Sequence, residues 1–262
     1  MPTIERNRSL WSEYDWSQRG EEWSVAWGGS QFQWQFSILP RIQSFLPAGT
    51  ILEIGTGWGR WTNYLKHECD ELIGVDLSPN CIEYCRERFA DDRHLSLHIN
   101  DGNSLAMVPD GSIDFVFSFD SLVHAEADVL SAYIVQLAKK LKPDGVGFIH
   151  HSNLGAYRFY YSMKRMIPKG RGLLWRMGLL DNDGLRALSM SAEAFEECAR
   201  NAGLKCISQE IINWASKRLI DCISIFTPAG SKWARPNVVT QNPNFMKEAE
   251  DIRNRSGLQG LG

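Results

Sequence analysis

The sequence predicts a doubly wound α/β fold, a mostly parallel sheet of seven strands with an antiparallel last strand. Two observations predict it. Over residues 50–151, short apolar runs alternate five times with segments of helical spacing, the pattern of successive strand–helix–strand units with right-handed crossovers. Two more apolar stretches follow residue 204, near enough in sequence to pair antiparallel and close the sheet.

The elements follow in order. "TILEIG" (50–55) and "ELIGVD" (71–76) are continuous apolar runs ending on a Gly or an acid, as parallel strands buried on both faces do. Between them, "RWTNYLKHEC" has helical spacing. Ser78 and Pro79 open "SPNCIEYCRERF" as N-cap and first helical residue. "LSLHIN" (95–100), "IDFVFSF" (113–119) and "GVGFIHH" (145–151) supply three further strands. "DVLSAYIVQLAKKLK" (128–142) is an amphipathic helix that Pro143 and Gly145 stop. "MSAEAFEECARNAGL" (190–204) is a helix capped by Ser191 and stopped at Gly203, and "KCISQEIINW" with "LIDCISIFT" forms the closing strand pair. This domain spans residues 49–230. An aromatic-rich N-terminal extension (1–48), a basic and aromatic insertion after strand five (152–190) and a polar tail (231–262), expected to be partly mobile with a short helix near 244–254, complete the chain.

Composition bounds the function. A hydrophobic share of 44% with 23% charged residues describes a globular protein. A net charge of −3 and a pI near 6.1 give no overall attraction to nucleic acid or anionic membrane. No apolar run approaches the roughly 20 residues that span a bilayer. The opening "MPTIERNRSLWSEYDW" has no apolar leader core, so a cytoplasmic location is expected, with the six cysteines as reduced thiols. "NPNF" (242–245) faintly resembles a DNA amino-methylation motif, but it does not follow strand four and its middle residue differs.

Gly55, Gly57 and Gly59 crowd the end of the first strand, where open α/β sheets bind ligands. A Gly-rich turn there lets backbone approach a ligand and offers free N–H groups. The dinucleotide fingerprint would need glycine at residue 60, where Arg60 stands, which disfavours NAD; a nicotinamide enzyme with a variant loop is the rival reading. The phosphate-cradling Gly-x4-Gly-Lys-Ser/Thr pattern is absent.

The stretch resembles motif I of the class I S-adenosylmethionine-dependent methyltransferases, Glu-x-Gly-x-Gly-x-Gly, matched by Glu53, Gly55, Gly57 and Gly59 without a gap. The resemblance covers residues 50–151 and implies a Rossmann-like sheet with S-adenosylmethionine as cofactor and S-adenosylhomocysteine as product. It assigns cofactor contact to Glu53, Gly55, Thr56, Gly57, Gly59, Asp76, Leu77, Asp101, Gly102 and Phe119, with Trp27 from the N-terminal "WSVAWGGSQFQWQF" covering the site. Asp76 occupies the position that takes the ribose hydroxyls; two acceptor oxygens match two vicinal donors. Asp101 either faces the adenine amino group or is a turn residue beside Gly102.

For the reaction, the acceptor must be aligned and, if a hydroxyl, relieved of its proton. His124, His150, His151 and Asp120 lie at carboxyl ends of strands four and five and are the catalytic candidates. Alternation along a strand lets at most one of His150 and His151 face the ligand; Asp120 is alternatively the N-cap of a helix from Ser121. These side chains would also suit a divalent metal, but their spacing carries no metal signature. In the insertion, "YRFYY" is expected to line an acceptor pocket, and Arg158, Lys164, Arg165, Lys169, Arg171 and Arg176 either meet a phosphate on the acceptor or form a solvated face. Arg186 is a weaker candidate for the cleft. At whole-chain level, the runs "EWSVAWGG", "ILPRIQSFLPAGTILEIGTGWGRWT" and "VGFIHHSN" are similar to bacterial sugar O-methyltransferases of surface-polysaccharide gene sets. This implies a sugar or glycan acceptor, while the charge and the lack of a long apolar run lead us to expect no nucleic-acid partner and no membrane span. A small natural-product hydroxyl or amine, and a cofactor-binding protein without catalysis, are the alternatives.

Overall fold

The computed structural model describes residues 3–165 and 184–259. The chain opens with helix α1 (Ile4–Ser12), two tight 3-10 turns, and a helical stretch running from α2 (Ser30–Gln33) through a π-helical turn to α3 (Leu39–Ile42). Strands and helices then alternate: β1 (Ala48–Ile54), α4 (Thr62–Leu65), β2 (Cys69–Asp76), α5 (Pro79–Arg88), β3 (Leu95–Ile99), β4 (Ile113–Ser118), α6 (Ala127–Lys140) and β5 (Leu141–Ser152). After α7 (Arg158–Arg165) come α8 (Ala192–Asn201), β6 (Leu204–Ile212), β7 (Asp221–Pro228), β8 (Val238–Asn242) and α9 (Phe245–Gln259).

The strands form one sheet in the order β3-β2-β1-β4-β5-β7-β6-β8. β1 to β5 are parallel neighbours where they pair, β7 runs antiparallel to both β5 and β6, and β8 is parallel to β6. The sheet therefore has eight strands rather than seven. The eighth comes from the polar tail: β8 is an edge strand of five residues, mostly exposed, so no apolar run announces it. The helix expected near 244–254 follows it and runs longer, to residue 259; it seats Phe245 and Ala249 in the core, with Met246 and Ile252 half-buried against the same cluster.

Each face of the sheet carries its own core. On one face α6 lays Leu130, Tyr133, Ile134 and Leu137 at helical spacing against Leu52, Val116 and Ile149, and α8 adds Phe195 and Ala199. Ser191 caps α8 by accepting from the Ala194 N–H. On the other face Trp27, Trp34, Ile38 and Ile42 cover Ile51, Phe115, Phe117 and Phe148. Strand order reverses between β1 and β4, which places a crevice at their carboxyl ends. Among the described residues, no helix is long and apolar enough to cross a membrane.

Candidate active site

A cavity opens at this switch point. Its floor is the loop after β1. Gly55 has φ +83°, and a Cβ there would stand 2.0 Å from Ser121 Oγ; at Gly59, φ +77°, it would meet the Phe89 ring at 2.5 Å. The turn thus closes only with glycine at both places. Thr56 lines the cavity with its Oγ1 buried and without a hydrogen-bond partner.

Asp76 ends β2 and faces the same space, half-buried, with Leu77 beside it. Its Oδ2 accepts from the Gly57 N–H and its Oδ1 from the Ser78 N–H, both at 2.8 Å. Ser78 stands at the N-cap of α5 but makes no side-chain cap bond, so the Asp76 carboxylate serves the helix start. Burial pushes the Asp76 carboxyl up, against the pull of the backbone N–H groups. Glu53 lies on β1 outside the cavity lining; it accepts from the Thr62 hydroxyl at 2.6 Å, its Oε1 has no partner, and burial pushes its carboxyl up to about 7.

The wall after β4 holds Phe119, Asp120 and His124. Asp120 has φ +63° and precedes a 3-10 turn (Leu122–His124) rather than capping an α-helix. Its Oδ2 accepts from Arg60 Nη2 at 2.9 Å, and Arg60 also donates to Ser24 Oγ while lying over the Trp61 ring. His124 Nδ1 is 3.2 Å from the Leu185 carbonyl oxygen. A carbonyl only accepts, so Nδ1 carries the proton and Nε2 presents a lone pair. Burial lowers the His124 pKa, with Arg186 adding to the effect.

The outer wall is aromatic. Trp11, Trp16 and Trp23 line the cavity, Trp16 stacks parallel to Trp58, and the Trp11 ring lies 5.3 Å from that of His124. Asn7 ties this segment down by donating to the His124 carbonyl.

These features fit S-adenosylmethionine. Each Asp76 oxygen accepts one backbone N–H and keeps a lone pair for one ribose hydroxyl, the glycine turn admits a chain close to backbone, and the unpartnered Thr56 hydroxyl awaits a polar group. Residues 51–145 match the family described as a methyltransferase domain. Over those residues the chain is similar to a methyltransferase domain, set in the α/β fold that S-adenosylmethionine-dependent methyltransferases of known structure also have. It is similar to the magnesium-protoporphyrin O-methyltransferase of Rhodobacter capsulatus, 26% identical over 63% of this chain and 67% of that protein. It is also similar to phosphoethanolamine N-methyltransferase 1 of Triticum aestivum, 32% identical over 43% of this chain, which spans only 24% of that protein's length. Among solved structures, an S-adenosylmethionine-dependent methyltransferase of Clostridium acetobutylicum shares the fold at a TM-score of 0.55, with 16% identity, 82% of this chain and 96% of that one covered.

The structure sets several of the residues expected at the site apart from the cavity. Asp101 turns outward and accepts from the Asn103 and Ser104 N–H groups as a turn residue; Asn100 and Gly102 line the cavity instead. Trp27 packs on Trp214 and Phe245 in the core below α9, because ten tryptophans look alike in sequence and only packing separates them. His150 is buried between Asp120 and Asp221, and His151 lies on the opposite face of the sheet, stacked on Phe195. Lys169, Arg171 and Arg176 lie outside the described residues. Among the described residues no cluster of three His, Cys, Asp or Glu side chains is placed to hold a metal ion. Nothing in the sequence marks Trp11, Trp16, Asn100 or Asp221 for the site; the aromatic richness of the first 48 residues is the one signal, and it does not choose among them.

His151 yields a stability prediction. Its Nδ1 donates to the Ser152 carbonyl and its Nε2 accepts from the Ser224 hydroxyl, so the neutral ring is satisfied and burial lowers its pKa to about 4. The unfolded ring titrates near 6.5, so the unfolded chain gains a proton first as pH falls. This contribution, about 3 kcal/mol, is therefore full above pH 6.5 and lost as pH drops from there toward 4. Denaturant midpoints across that window are expected to depend less on pH in His151→Gln; identical slopes would refute the assignment.

Proposed function

We propose that the protein transfers the methyl group of S-adenosylmethionine to a hydroxyl of a sugar or glycan acceptor, with His124 as the base. The observation that carries this reading is the His124 ring: on the cavity wall, with Nδ1–H spent on the Leu185 carbonyl and Nε2 free to accept. When bound, the cofactor supplies an electrophilic methyl group on a sulfonium. Asp76 and the glycine turn would hold it, and Arg60 with Asp120 would close the same wall. Trp11 and Trp23 meet edge to face at 5.9 Å beside His124, a surface on which the C–H face of a sugar ring packs. A net charge of −3 offers no attraction for a nucleic-acid polyanion. The whole-chain resemblance to sugar O-methyltransferases supports the acceptor class.

An amine acceptor is the second reading. Glu126 lines the cavity with its Oε1 buried and unpartnered, an acceptor suited to an ammonium donor, and the wheat relative is named as an N-methyltransferase. The test is a panel of nucleotide sugars, glycan fragments and small amines incubated with labelled S-adenosylmethionine, with products located by mass spectrometry. Label on a sugar oxygen upholds the first reading. Label on nitrogen alone sustains the second and overturns the first.

A further inference from the structure

We propose that Asp221 is a positioning residue that fixes two parts of the cavity wall at once, the Asp120–Arg60 pair through His150 and the His124 ring through Arg186. The inference rests on the cavity being the cofactor site and on His124 being the base.

Two residues other than glycine that flank the His124 turn are held in the left-handed backbone region, Asp120 at φ +63° and Leu185 at φ +61°; Arg19, at φ +57°, lines the cavity from the N-terminal segment. Such conformations persist only where surrounding structure over-determines them. Asp120 and Leu185 both lead to one carboxylate. The Asp120 N–H donates to His150 Nδ1 at 3.2 Å; that nitrogen is then bare, so the His150 proton sits on Nε2, which lies at an ion-pair distance of 3.2 Å from Asp221 Oδ2 without the alignment of a hydrogen bond. On the other side, Arg186 grips Asp221 with both ends of its guanidinium, at 2.5 and 2.7 Å. Its neighbours face the opposite way: the Leu185 carbonyl takes the His124 Nδ1 proton, and the Ala187 N–H donates to the Val123 carbonyl. The residue between two contacts to the His124 turn is thus the one pinned to β7.

Asp221 and His150 are fully buried and Arg186 is 6% exposed. Burial alone would raise the Asp221 carboxyl; Arg186 and His150 outweigh it and hold it at about 2, ionised throughout the working range. A buried ion pair is poor evidence for stability, since apolar residues of like volume commonly do as well. What it supplies here is direction: the carboxylate sets the angle of the Arg186 fork through two hydrogen bonds and draws the His150 Nε2–H toward its Oδ2 by charge. Neither His150 nor Asp221 lines the cavity, so both act through Asp120 and His124.

Asp221→Asn alone would leave Arg186 buried without a counter-charge and risks unfolding. The test therefore uses Arg186→Gln/Asp221→Asn, which removes both charges at similar volume, in protein labelled with 15N-histidine, with S-adenosylhomocysteine as probe. His124→Gln assigns the His124 signals. In the wild type the His124 ring is expected as a single Nδ1–H tautomer. In the folded double variant it is expected to become a mixture with the Nε2–H form, and the Kd for S-adenosylhomocysteine to rise about tenfold as the Asp120–Arg60 wall loosens. A double variant that keeps either the wild-type tautomer or the wild-type Kd overturns the inference. Neither readout uses an acceptor, so failure of every sugar to be methylated would overturn the acceptor reading and leave this one standing.

Discussion

Asp76→Ala is expected to raise the Kd for S-adenosylhomocysteine by about 100- to 10,000-fold, read by calorimetry, because two hydrogen bonds from hydroxyls to a charged acceptor are each worth about 1.5–3 kcal/mol. The same change frees the Gly57 N–H, so part of the loss would come from a looser glycine turn. Asp76→Asn separates the contributions: it keeps the shape and one acceptor oxygen but removes the charge, and an intermediate loss is expected. The pH dependence follows from the direction of the shift. Burial raises the Asp76 carboxyl above its usual range, and ribose hydroxyls bind the ionised form better. Affinity should be full near neutrality and decline as pH falls through a value above the ordinary aspartate pKa of about 3.9. A Kd that stays level from neutrality into that range would sink the assignment of Asp76 as ribose partner.

The parts of this site that sequence exposes are those fixed by backbone alone. Three glycines within five residues at the end of an apolar run announce a turn needing left-handed backbone, and an acid ending the next strand stands at the same edge of the sheet. What sequence hides depends on packing between distant segments. Alternation along β5 splits His150 from His151, but which ring faces the β4 end depends on what covers each face, Trp214 and Phe119 on one side and Phe195 on the other. Asp221 opens a strand in "LIDCISIFT" and reads as an ordinary boundary residue; its role exists only because β7 runs antiparallel beside β5, setting its register opposite Ser152. Asp101 and Asn100 differ by one position at the end of β3, and the local turn, which needs an acceptor for the Asn103 and Ser104 N–H groups, claims the aspartate. The eighth strand escapes notice because an edge strand of five residues needs no apolar face.

His124→Gln is expected to lower kcat for methyl transfer to a hydroxyl by about 100- to 10,000-fold, the usual contribution of a positioned general base. The Kd for S-adenosylhomocysteine should stay within about twofold, since Gln fills the volume beside Trp11 and none of the assigned cofactor partners is altered. The split between kcat and binding separates a base from a packing residue, because a packing residue would move stability or binding instead. The pH–rate profile carries the second half of the prediction. Only the neutral ring has a lone pair on Nε2, so activity falls as His124 gains its second proton. Burial, and then the Arg186 guanidinium, disfavour that charged form, so the acidic limb should lie below the ordinary histidine value of about 6.5. The limb should vanish from the residual activity of the Gln variant, which has nothing to protonate in that range. An amine acceptor predicts something else: a protonated amine must lose its proton to become a nucleophile, so its own pKa places the limb well above 6.5 and the Gln variant keeps it. Position and survival of the acidic limb thus decide between the hydroxyl and amine readings on the same samples that test the base.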